Sequence, residues 1–99
     1  MMNECSSLEE VRSAIDELDQ QIVQLLAARG AYVRQAARFK KNDDAVRAPQ
    51  RVEQVIAKVK SLAVEAGASP VVVEHVYRAM IAAFIEAELA EHATLQQRT

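Results

Sequence analysis

From Leu8 to Phe39 the chain repeats apolar residues at alternating steps of three and four: Leu8, Val11, Ile15, Leu18, Ile22, Leu25, then Arg29, Tyr32, Ala36 and Phe39. That spacing is one face of an α-helix, and no alternating strand pattern competes with it. Ser7 with Glu10 three residues on forms a capping-box signature at its start. The repeat predicts a helix to about Lys41, where Asn42-Asp43-Asp44 ends it. At ~1.5 Å per residue such a helix is roughly 50 Å long, twice the ~26 Å that a compact chain of this size spans. A rod of that length needs another rod beside it, and a second copy of the chain is the simplest source.

Breakers fall in few places. Glycine occurs only at positions 30 and 67 and proline only at 49 and 70, which divides the 99 residues into three helices, long, short and long. The second is predicted from Pro49 to Gly67, with Val52, Val55, Ile56, Val59, Leu62 and Ala63 inward and Gln50, Glu53, Lys58 and Lys60 outward. Ser69-Pro70 reads as cap and first turn of the third, whose stripe runs Val73, Tyr77, Met80, Phe84 and on to Leu95. The expectation is an all-α chain forming a single domain over residues 1–99. Continuing four residues from Phe84 places Glu88 on that stripe. His75 and His92 show no metal-ligand spacing and read as ordinary helix residues.

Twelve Lys+Arg against fourteen Asp+Glu leave a net charge of −2, so there is no electrostatic footprint for nucleic acid or an anionic membrane. The single Cys5 excludes an internal disulfide and a cysteine-based structural zinc site. The longest purely apolar run, Ala79 to Ile85, is too short to cross a bilayer, and the polar start of the chain has no apolar signal core. A soluble, cytoplasmic protein is expected.

The informative anomaly is Arg29, a cation on the apolar seam. Desolvating a guanidinium is costly unless an anion or a set of acceptors meets it, and a protein carboxylate, a carbonyl cluster or a bound anionic ligand would serve. Lys40, 11 residues on, would differ from Arg29 by only about 20° around a continuous helix. Arg12 lies 17 residues before Arg29, about 25 Å along the axis, so one small ligand touches both only if a second subunit brings its own Arg12. Each charge also has a plain reading: Arg29 snorkelling or paired with a local acid, Arg12 paired with Asp16, Lys40 solvated near a helix end, Arg51 on a helix surface, Glu88 on a solvated face.

Taken together, Val11-Arg12-Ser13-Ala14-Ile15-Asp16, Leu25 to Arg29, Tyr32 to Lys40, Ala48-Pro49-Gln50-Arg51-Val52 and Phe84 to Glu88 resemble the all-helical chorismate mutases over nearly the whole chain. The Arg38-Phe39-Lys40 and Ala48 to Val52 stretches look most like the salicylate-forming isochorismate-pyruvate lyase branch. The resemblance implies an intertwined homodimer of three-helix chains working without cofactor or metal on a small dicarboxylate, chorismate or isochorismate. Arg12 of the second subunit and Arg29 would hold its carboxylates, Lys40 would reach a carboxylate and the ether oxygen whose C–O bond breaks, and Arg51 and Glu88 would complete the pocket. The Asn42 to Ala48 loop would close over the ligand. Val52 stands where typical mutases carry an acid, as in the lyase branch, and Glu88 stands where the family often has Gln. A carboxyl group donates only when protonated, so activity is expected to improve under mildly acid conditions.

A pericyclic reaction of a dianion asks for positioning and charge complementarity rather than a nucleophile, and the sequence offers no convincing catalytic Cys, Ser-His pair or metal cluster. Lyase activity with accompanying mutase activity is the first reading; a dedicated mutase is the alternative. The rival of another class is a non-catalytic helical dimerisation module, with Arg29 paired to Asp16 or Asp19 across an interface. Arg29→Ala separates the classes: the enzyme loses turnover and keeps a folded dimer by analytical ultracentrifugation, whereas the module loses the dimer.

Overall fold

The computed structural model describes residues 4–97, with side chains described as far as Thr94. All its regular structure is helical: α1 (Leu8–Ala37), a one-turn α2 (Asp43–Arg47), α3 (Pro49–Ala66) and α4 (Pro70–Gln97). The long, short, long order expected from the breakers is present, with α2 inserted in the first connection. The chain divides into two compact units: one up to Tyr32, and one from Val33 that holds the last turn of α1 with α2, α3 and α4.

In the first unit α1 begins as its sequence dictates. The Ser7 hydroxyl accepts from the Glu10 backbone N–H at 3.1 Å, and the Glu10 carboxylate reaches back to the Ser6 backbone N–H and hydroxyl at 2.8 and 2.9 Å. These bonds from Ser6, the backbone one first, hold the Glu10 carboxyl below its ordinary value. The reciprocal half of the capping box thus engages Ser6 rather than Ser7. The apolar stripe is left open: Leu8, Ile15, Leu18, Ile22 and Leu25 are 48–69% exposed within the single chain. Thirty residues span about 45 Å.

The second unit carries the core. Ile56, Val59 and Ala63 of α3 and Ile81 of α4 are buried where the two helices pack, and Val46 of α2 is buried in the same unit. Leu62, expected inside, is 48% exposed, at the edge of the α3 stripe. Val73, Tyr77, Met80 and Phe84 of α4 are half-buried, and the side chain of Leu95 lies outside the described residues. Gly67, at φ 75°, closes α3 in the left-handed conformation, and the Ala68 N–H bonds the Ala63 carbonyl at 2.8 Å, the six-to-one closure of a helix C-terminus. Ser69 then caps α4 through the Val72 N–H at 3.2 Å.

The sequence extended the first helix to about Lys41, but it stops at Ala37. The next three N–H groups bond three residues back, Arg38 to Gln35, Phe39 to Ala36 and Lys40 to Ala37, at 3.0–3.4 Å. The ladder tightens into a 3₁₀-type turn and runs out. Asn42 is not merely a stop: its extended backbone and its side chain, which accepts from the Ala45 N–H at 2.9 Å, make it the cap of α2. Ala48 ends α2 and begins α3 in a left-handed conformation (φ 38°) that costs a non-glycine residue roughly 1–2 kcal/mol.

On the α3–α4 surface Arg78 forms a two-pronged pair with Glu53 at 2.9 and 3.0 Å and bonds Glu74 at 2.9 Å, while Lys60 approaches Glu74 at 3.3 Å. Hydrogen bonding to Arg78 holds the Glu53 and Glu74 carboxyls below their ordinary 4.5, with Lys60 adding to the effect on Glu74, and raises Arg78 in turn. A depressed folded-state value contributes stability that is present above 4.5 and is lost as pH falls through the folded value. Arg78→Met is therefore expected to lower the thermal midpoint at pH 7, with the deficit disappearing toward about pH 2 and shrinking in molar salt because Arg78 and Glu53 are exposed. Thermal melts across that pH range check it; a deficit independent of pH would remove the network from the account.

Candidate active site

Lys40 and Glu88 are the pair of candidate residues that the second unit brings together. Lys40 lies just past the 3₁₀-type turn, and Glu88 lies on α4, where the stripe from Phe84 places it. The Lys40 Nζ stands 2.7 Å from Glu88 Oε2. The Glu88 side chain is 4% exposed and that of Lys40 25%, so a buried carboxylate is met by a lysine that is itself only partly buried. Their angles fall outside hydrogen-bond geometry, which leaves Glu88 Oε2 held by charge rather than by a directed bond. In a low-dielectric setting that attraction is much stronger than on a surface.

Because α1 ends at Ala37, Lys40 is placed by the turn and not by the azimuth of a continuous helix, so the 20° relation to Arg29 argued from the sequence does not apply. Arg29 is half-buried on α1. Arg12 is exposed on the same helix, and among the described residues no ion pair joins it to Asp16. Arg51 is exposed in the first turn of α3, next to the Ala48-Pro49 corner. The Asn42 to Ala48 segment, read from sequence as a loop, contains α2, whose Val46 is 2% exposed.

One residue was missed. His92 is 4% exposed, and its Nε2 lies 2.8 Å from the Lys40 carbonyl oxygen. Its Nδ1 is buried without a hydrogen-bond partner, 3.8 Å from the Asp43 carboxylate at the start of α2. The signal was available in the periodicity: Phe84, Glu88 and His92 are successive steps of four on one face of α4. Screening histidines for metal-ligand spacing alone passed over it.

In the second unit a buried carboxylate–lysine pair thus lies beside a helix-capped connection in an all-helical chain. The chain belongs to the type II chorismate mutase family, whose profile matches residues 11–89. It is 35% identical over 86 residues to the isochorismate pyruvate lyase of Pseudomonas aeruginosa (strain PAO1), an alignment covering 87% of this chain and 85% of that protein. Arg12, Arg29, Lys40, Arg51 and Glu88 all fall inside the family match, and His92 lies three residues beyond it.

Truncating Lys40 while keeping its apolar stem isolates the pair. Lys40→Met strands the Glu88 carboxylate, at an expected cost of about 1–3 kcal/mol, below the ~3–5 kcal/mol of a fully buried pair because Lys40 is partly solvated. Adding Glu88→Gln should recover most of the loss. Urea unfolding at pH 7 and equal protein concentration measures both, and a Lys40→Met chain as stable as the wild type would deny the pair any weight.

Proposed function

We propose that the chain eliminates pyruvate from isochorismate to give salicylate and, in the same pocket, rearranges chorismate to prephenate. The observation that carries this reading is the Lys40 ammonium, 2.7 Å from a buried carboxylate at the end of a side chain that is one-quarter exposed; in this reading it passes between Glu88 and an incoming anion. Both reactions break the enolpyruvyl ether C–O bond of a dianion. In the elimination a ring hydrogen moves to the enolpyruvyl methylene as the bond breaks, the ring aromatises and pyruvate departs. Nothing is asked of a nucleophile. Charge developing on the ether oxygen is met by Lys40, while Arg29, Arg51 and Arg12 of a second subunit hold the two carboxylates by paired N–H bonds and bring the reacting ends together.

The second copy follows from α1. A helix about 45 Å long with Leu8, Ile15, Leu18, Ile22 and Leu25 all exposed presents an apolar stripe far larger than isolated surface residues make, and an antiparallel copy would cover it and deliver Arg12. In that dimer each chain acts as one domain and α2 serves as the lid of the site. Among the described residues no helix is long and apolar enough to cross a membrane, and we place the enzyme in the cytoplasm.

The 35% identity to a lyase and Val52 after Arg51, where typical mutases carry an acid, favour elimination over rearrangement as the main activity. Isochorismate and chorismate should each be offered to the purified protein, with salicylate, pyruvate and prephenate followed by chromatography. Equimolar salicylate and pyruvate from isochorismate, faster than prephenate from chorismate, is the expected outcome. Prephenate alone would make the chain a dedicated mutase, and no product from either would end the proposal.

A further inference from the structure

We infer that His92 is a positioning residue for Lys40, and that one turn of α4 grips that lysine at both ends, its ammonium through Glu88 and its carbonyl through His92. The inference rests on the reading of Lys40 as the group that meets the breaking ether bond.

A carbonyl oxygen only accepts, so at 2.8 Å the His92 Nε2 is the donor and, in the neutral ring, carries the proton. Nδ1 is buried without a hydrogen-bond partner, so the Nε2 contact is the ring's one directed bond. The groups facing the ring are the Lys40 carbonyl from the turn and the Asp43 carboxylate from the first turn of α2, with Glu88 one turn earlier on α4. An imidazole whose side chain is only 6% exposed, held by a single directed bond, is expensive to bury without that bond.

What the bond supplies is visible in the backbone. Past Ala37 the helical ladder has ended, and the Lys40 N–H reaches the Ala37 carbonyl at 3.4 Å, the longest bond of the turn. Among the described residues no backbone N–H outside the helices takes the Lys40 carbonyl. The Lys40–Lys41 peptide is thus set by His92 rather than by secondary structure. Without that donor the peptide plane is free to rotate, and the ammonium, at the end of a flexible side chain, loses its fixed origin. Glu88 by itself holds the tip but not the base. A displacement of about 1 Å at a reacting group can cost up to 10²-fold in rate.

The test compares wild type, His92→Leu and His92→Gln on isochorismate and chorismate, since a glutamine amide can place its N–H near the position of the imidazole Nε2–H. His92→Leu should lower kcat about ten- to a hundredfold with a much smaller change in KM, and His92→Gln should return kcat most of the way. A purely structural role predicts a lower folded fraction with kcat per folded molecule unchanged, read from circular dichroism and active-site titration. Wild-type kcat in folded His92→Leu, or equal impairment in both folded variants, overturns the inference. Should His92→Leu fail to fold, long-range ¹H–¹⁵N spectra of the wild type decide: a proton on Nε2 is expected, and the neutral Nδ1–H tautomer would overturn the contact. Wild-type protein without turnover on either substrate would remove the functional reading first and this inference with it.

Discussion

A carboxylate buried on α4 dictates the local arrangement around it. Glu88 is almost fully withdrawn from water, and an isolated ionised carboxylate in such a place is untenable. The ammonium of Lys40 meets it, which requires the chain beyond α1 to come to the α4 surface at a defined point. The 3₁₀-type turn after Ala37, the Asn42 cap and the buried Val46 of α2 together bring the connection there.

The same requirement explains why a short, polar connection carries so many local devices. Asn42 satisfies an orphan N–H of α2, and Ala48 adopts a left-handed backbone so that one residue ends α2 and starts α3. Pro49 then preorganises the first turn of α3, beside Arg51. The strained backbone at Ala48 and the buried carboxylate at Glu88 both belong to the second unit, on the connection and on the helix it meets.

The helices were legible because their signals are local. Capping boxes, proline at first turns and glycine past a C-terminus act within four residues, and the 3-4 repeat identifies the inner face before any partner is known. Ile56, Val59 and Ala63 lie inside and Gln50, Glu53, Lys58 and Lys60 outside, as that repeat required. The end of α1 was misread because Asn42-Asp43-Asp44 is equally good as a stop and as a start, and Tyr32, Ala36 and Phe39 continued the apolar rhythm; Phe39 is 84% exposed. His92 was misread because its partner is a backbone carbonyl 52 residues away, which leaves no motif in the sequence.

The order of residues alone determined an all-helical chain, the faces of its helices, the membership of a family of helical enzymes and the placing of Glu88 on the buried stripe of α4, since each depends on spacing along one chain. Tertiary structure decided that Lys40 is the partner of Glu88, that α2 forms in the connection and that His92 holds the Lys40 backbone. These depend on segments far apart in sequence meeting in space, where the cost of burying charge and polar groups selects a single arrangement that no local pattern encodes.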